Sequence, residues 1–424
     1  MSKLHSFLAG WLAFAIVWTG ATGLRLPGLP FGPGEVLLAT WLAFVGFLLL
    51  RGLKVHLGPT FRVFLLYWLV AFTLLGLGAL VASATGRMNI DSAGHDTLAF
   101  VLQAMFVCSA VMFVDDKAFY VAVARRTLFL FAFFATGILV VGYISPGVLG
   151  FEIWYGGIRY SGWANNPNQM ALFALPMPFI GWYLLRQARG FASRLAYVIA
   201  IGACIVVGIE TKSDGLRVAW LGSTSLLGLW AWYSSLVTPR GRFLYITFVI
   251  APIVAVSMTI AFGEEFVDRL ELAVHDMYEE GDQGEGRVVR WTNGIRAIMQ
   301  SPLVGFGPGR YSGETAPFQD KEAHNSLIDW GASTGVLGII LHLSMLGWCV
   351  LRVLRAGELA LLGVLIALTG FNMFGYSLRQ PVYWLLLVLV VMLSTERTPG
   401  RARAAAALPP GAPDTARARL SAQH

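Results

Sequence analysis

Charge is scarce in this chain. Only 13% of its 424 residues are Asp, Glu, Lys or Arg against 56% hydrophobic, and the mean hydropathy is +0.65. A soluble domain of this length carries about twice that charged fraction, so a soluble globular protein is excluded and an integral membrane protein is indicated. Cysteine is nearly missing: Cys108, Cys204 and Cys349 all lie in apolar runs and no C-x-x-C pair occurs. Neither a disulfide framework nor a zinc site follows, and the three read as core fillers. No carboxylate-rich metal cluster stands out. A nucleotide loop is missing too, because Gly305-Phe306-Gly307-Pro308-Gly309 has no preceding strand and no Lys-Ser/Thr. It reads instead as a flexible loop that lets the chain turn tightly. There is no clear internal repeat and no inverted symmetry of the transporter kind.

What is present is a series of apolar runs about 20 residues long, the length that crosses hydrocarbon as a helix. Twelve are expected, at about 6–24, 34–50, 62–82, 97–114, 126–145, 168–186, 194–210, 216–237, 243–262, 326–351, 358–376 and 380–395. The first is longer than a signal-peptide core and is kept as a span. Most Lys and Arg fall on one side: Lys3, then Arg51, Lys54 and Arg62, then Lys117, Arg125 and Arg126, and so on through Arg352 and Arg355 to an arginine-rich tail. The positive-inside rule then puts both termini in the cytoplasm and the polar insert Gly263–Ala323 outside. The basic balance is thus a topology signal, and no nucleic acid is expected as a partner. The organisation expected is spans one to nine over 1–262, a long outer loop over 263–325, spans ten to twelve over 326–395, and a disordered cytoplasmic tail over 396–424.

The long loop is the natural place for chemistry. Within it Phe266, Leu270, Val274 and Met277 recur at helical spacing, and Val288, Trp291, Ile295 and Ile298 form a second apolar stripe that stops at Pro302. Arg287 and Arg290 are neighbours on that second helix. They are either a solvated or headgroup-snorkelling face, or a pair gripping phosphate oxygens with their planar forks. At other outer rims stand Arg159 with Asn166 and Asn168, and Arg217 at a helix entrance. An arginine so near hydrocarbon is a functional candidate by default, with pairing to Asp214 or Glu210 as the structural alternative. His324 closes the loop where the next helix starts. It is either a capping residue or a general base titrating near neutrality.

Asn166-Pro167-Asn168, Arg217-x-x-x-Leu221, Arg287-x-x-x-Trp291, Pro302-Leu303-Val304-Gly305-Phe306-Gly307 and His324-Asn325 followed by Gly335-x-x-Gly338 together resemble the bacterial O-antigen ligase/polymerase family. The likeness covers roughly 150–376, and the earlier spans match only in hydropathy. One departure is Asp214, where the family often has the arginine of Ser-Arg-Gly; Arg217 is aligned by its distance to Trp220-Leu221. The resemblance implies an all-α polytopic membrane protein, a GT-C-like lipid-linked glycosyltransferase of the bacterial inner membrane with its site facing the periplasm. The implied donor is an undecaprenyl diphosphate glycan and the implied acceptor a lipid A-core sugar. In that frame His324 is the catalytic base, Arg217, Arg287, Arg290 and Arg159 bind diphosphate, Asn166, Asn168 and Asn325 position substrate, and no metal or cofactor is needed. The compact His-Asn motif with spaced glycines favours a ligase over an O-antigen or exopolysaccharide polymerase. A secondary transporter is the third reading, but it predicts broken or charged helices at mid-membrane.

Overall fold

The computed structural model describes residues 1–25, 31–52, 55, 57–113, 117–145, 147–148, 151–237, 284–313 and 321–394. The expected span 243–262, the amphipathic stripe at 266–277 and the tail 396–424 lie outside the described residues. The described chain is mainly helical: α1 (Lys3–Thr19), α2 (Pro33–Leu50), α3 (Pro59–Ala84), α4 (Ile90–Phe113), α5 (Lys117–Ile144), α6 (Pro167–Ala174), α7 (Met177–Leu185), α8 (Phe191–Glu210), α9 (Asp214–Val237), α10 (Gly284–Gln300), α11 (Ser326–Ala356), α12 (Leu359–Phe371) and α13 (Pro381–Leu393). Proline stands at the start of α2, α3, α6 and α13, where its fixed φ suits a helix and its missing N–H leaves no orphan donor. Between α5 and α6 run two small antiparallel hairpins, β1 (Gly147–Val148) with β2 (Phe151–Glu152) and β3 (Trp154–Tyr155) with β4 (Arg159–Tyr160).

Six of the described helices, α2, α3, α4, α5, α8 and α11, are long and apolar enough to cross a membrane. Their outward faces stay apolar, with Leu50, Ile144 and Phe191 exposed, as lipid-facing surfaces require. The core packs large aromatics inward, among them Trp41, Trp68, Trp330 and Trp384. Three expected spans differ from the structure. The run 168–186 is two helices, α6 and α7, separated at Leu175-Pro176, where a proline cannot continue the ladder. The runs 358–376 and 380–395 contain helices of only 13 residues each, because Asn372–Gln380 leaves the helix to form a structured loop between them.

α11 is also broken, at Gly335, where φ is +67° and ψ −170°. The break frees backbone groups that the preceding loop satisfies. Phe306 N–H donates to Ala332 O at 2.9 Å, Gly307 N–H to Ser333 O at 2.8 Å, and Val336 N–H to Pro302 O at 2.8 Å. Buried non-helical backbone needs such partners because its polar groups are cut off from water. A Cβ at Gly335 would overlap the Leu303 backbone, and one at Gly78 of α3 would overlap Gly307. The glycine-rich segment is therefore a backbone wedge packed between α3 and α11, rather than the flexible loop expected. Its tight turning is real, with φ +65° at Gly305 and +76° at Gly307.

α10 forms as expected, and its apolar stripe is split between two faces. Val288 and Ile295 are 54% and 50% exposed, whereas Trp291 and Ile298 are half-buried, Ile298 packing beside Ala297 and Ala332, and Gly286, Gly294 and Ala297 are buried. The small residues allow close approach to α11, and a Cβ at Gly294 would overlap Ile328. The packing face thus combines Ile298 and Trp291 with small residues, while Val288 and Ile295 point outward.

Candidate active site

His324 sits in a turn held from behind. Asn325 caps α11, its Oδ1 accepting from the N–H groups of Leu327 and Ile328 at 3.1 and 3.3 Å. The buried Asp329 carboxylate accepts from the N–H groups on both sides of the histidine, Ala323 at 2.8 Å and Asn325 at 3.2 Å. His324 itself has φ +55°, a left-handed conformation that a non-glycine residue adopts at a cost of about 1–2 kcal/mol unless its surroundings impose it. The Asp329 clamp is what imposes it. His324 lines a cavity and remains exposed there. Partial loss of hydration still holds its pKa below the ordinary histidine value; Glu322 opposes the shift, and Arg290, Arg287 and Arg379 reinforce it.

The arginines converge on the same end of the bundle from three separate elements. Arg159 on β4 donates to Thr211 O through Nε and to Asn168 Oδ1 through Nη2, both at 3.2 Å. Burial lowers its pKa, offset by Asp214 and Tyr155 and reinforced by Arg287 and Arg217. Arg290 of α10 is likewise lowered by burial and then by Arg287, against Asp329, and its Nε donates to Gly286 O at 3.0 Å. Arg217 lies in the first turn of α9, 3.7 Å from Asp214, so the pairing weighed from sequence is present. Asp214 is largely exposed and is one carboxylate beside several guanidiniums. Lys212, just before α9, is the other described non-glycine residue with positive φ, at +49°.

On the other side of His324 lies a cavity of about 340 Å³ lined by Glu322, Arg310, Arg379, Asn166, Asn168 and Gln169 among others. Arg379, in the loop between α12 and α13, bridges Asp96 of α4 and Glu322. Burial works against its charge, but Glu322 and Asp96 outweigh that and raise its pKa. Arg310 lies 3.5 Å from Glu322, and Arg25 pairs with Glu35 at 2.5 Å. Asn166 caps α6, its Oδ1 accepting from Asn168 N–H at 2.8 Å. The Thr22 hydroxyl donates to Gln169 Oε1 at 2.5 Å, fastening the loop after α1 to the same wall.

The structure thus brings together Arg159, Arg217, Arg287, Arg290 and His324, with Asn168 joining the arginine side to the cavity. Asn325 is placed differently: it is buried, absent from the cavity wall, and its oxygen serves the first turn of α11. Sequence reasoning missed Glu322, Asp329, Arg310 and Arg379. A carboxylate inside the expected span 326–351 was the available signal for Asp329; Arg379 was visible only as a charge in a short outer loop. Among the described residues, no three His, Cys, Asp or Glu side chains gather as metal ligands.

Residues 211–343 match the model of the family described as O-antigen ligase. The match spans Arg217, Arg287, Arg290, His324 and the Gly335 break, and leaves Arg159, Asn166 and Asn168 outside it. A comparison with curated proteins finds no match.

Proposed function

We propose, from the match of residues 211–343 to the O-antigen ligase family model, that this chain transfers a glycan from undecaprenyl diphosphate to a sugar hydroxyl of lipid A-core at the periplasmic face of a bacterial inner membrane. The observation that carries the reading is the convergence of four arginines at one end of a helical bundle, of which Arg287 and Arg290 act on His324. A diphosphate leaving group develops negative charge as its bond to the sugar breaks, and preorganised guanidiniums stabilise it. Arg217, Arg287, Arg290 and Arg159 take that role. His324, kept neutral by its setting, accepts the proton of the acceptor hydroxyl while the oxygen attacks the anomeric carbon. The carbon–oxygen bond to the diphosphate breaks in the same displacement and its electron pair leaves with the phosphate. A single displacement inverts the anomeric centre. With arginine meeting the leaving-group charge, the reaction proceeds without a metal.

The test is transfer by the purified full-length protein from an undecaprenyl diphosphate glycan to lipid A-core in excess EDTA, with product stereochemistry by NMR. Arg217→Ala and Arg287→Ala are expected to lose most transfer, and Lys to restore it poorly because it lacks the planar fork. Activity that EDTA removes and magnesium restores, or a retained anomeric configuration, overturns the mechanism. In a deletion strain, free core with accumulated lipid-linked polymer supports ligation; core capped by one repeat unit indicates polymerisation.

A further inference from the structure

We propose that the cavity beside His324 is the acceptor subsite and that it takes an uncharged sugar ring; this rests on the reading of the chain as a glycan ligase with His324 as base. Two observations carry it. The first is a separation of charge across the histidine. On one side stand Arg159, Arg217, Arg287 and Arg290, outnumbering Asp214 and Asp329, the carboxylates that act on them among the described residues. None of those four arginines lines the cavity. The arginines of its wall are paired: Arg25 is met by Glu35, and Arg310 and Arg379 by Glu322 in the wall and Asp96 behind it. A diphosphate fits the first environment. A phosphate or carboxylate placed in the second would lose hydration beside arginines that, among the described residues, each already face a carboxylate.

The second observation is hydrogen-bonding capacity left unused. Arg25 Nε, Gln103 Oε1 and the Tyr376 hydroxyl are buried without a hydrogen-bond partner among the described residues, and all three residues line this one cavity. Buried polar atoms are normally satisfied, so a cluster of exceptions around one void marks a place for a hydroxyl-bearing guest. Donors and acceptors are both present, as sugar hydroxyls require, and the rings of Tyr376 and Phe374 line the wall as well. His324 decides which sugar it is. Its imidazole lines the same cavity, and a base must lie within hydrogen-bond reach of the proton it removes. The acceptor hydroxyl therefore belongs at the histidine wall of the cavity, and the departing diphosphate on the arginine side.

The experiment is steady-state transfer by the full-length protein, parent, Tyr376→Phe and Arg310→Gln, varying in turn an undecaprenyl diphosphate glycan donor and a lipid A-core acceptor ending in an uncharged hexose. Tyr376→Phe removes only a hydroxyl that has no hydrogen-bond partner among the described residues, so folding is preserved; membrane abundance checks both variants. Each is expected to raise the acceptor KM by about two- to tenfold, the range of one hydrogen bond, with the donor KM unchanged. The parent is expected to use the same acceptor poorly when its terminal sugar carries a phosphate ester. A rise in donor KM alone would assign the cavity to the donor glycan and overturn the proposal, as would unchanged acceptor KM in both variants. Preference for the phosphorylated acceptor would overturn the uncharged class. A parent that transfers nothing to core lipid would instead sink the ligase reading itself.

Discussion

His324 shows how a single residue's chemistry depends on its setting. Histidine in water is half-protonated near pH 6.5, and a base must be neutral to work. Partial loss of hydration and the nearby Arg290, Arg287 and Arg379 favour the neutral form, while Glu322 opposes them. The acid limb of kcat/KM, where protonation of the base removes activity, is therefore expected below pH 6.5, with full activity above it. Arg290→Gln removes one of the charges that disfavour imidazolium, so the limb should move to higher pH even as the rate falls. A limb that stays put would separate His324 from the titration. His324→Ala should slow turnover by about 10²–10⁴ with donor affinity nearly intact, and near-normal turnover would leave His324 as a structural turn residue.

At the scale of elements, the site depends on a helix that is interrupted. The break at Gly335 lets the 302–307 wedge insert and fixes the short first section of α11, which carries both Asn325 and the Asp329 clamp behind His324. Gly335 needs a backbone conformation open to glycine almost alone, and its Cβ position is occupied by the Leu303 backbone. Gly335→Ala should therefore lower stability by roughly 1–3 kcal/mol or more. Gly347→Ala, farther along the same helix with open space around it, should be neutral or stabilising. Thermal unfolding of the two purified variants checks this; equal melting temperatures would mean that the wedge tolerates displacement.

For the whole molecule, orientation decides which compartment the site faces. The β3–β4 hairpin stands at the same end as the arginines, whereas Arg189, between α7 and α8, stands at the opposite end of the α8 helix from Thr211. With lysines and arginines enriched on the Arg189 side, a cysteine at the exposed Ile158 should react with a membrane-impermeant reagent added to the periplasm, and one at Arg189 should not. Reversed labelling would turn the site toward the cytoplasm. Arg379 ties this end together, since the loop after α12, the start of α4 and the segment before His324 all meet at its guanidinium.

Much of this was legible in the residues because lipid imposes a simple demand: a chain so poor in charge must form apolar helices, and most of their limits follow from hydropathy and proline alone. Arg217, Arg287, Arg290 and His324 were legible too, as charges stranded at helix entrances and in a polar loop. Periodicity found α10 and only part of its inward face: Trp291 and Ile298 pack, Val288 and Ile295 stay exposed, and Gly286, Gly294 and Ala297 make the close approach to α11. Only tertiary structure brought Arg379 and Glu322 together from far apart in the chain, placed Asp329 behind the histidine, and set a charge-balanced cavity against an arginine cluster. Those relations depend on distances between elements, and residue order along a chain carries no direct measure of them.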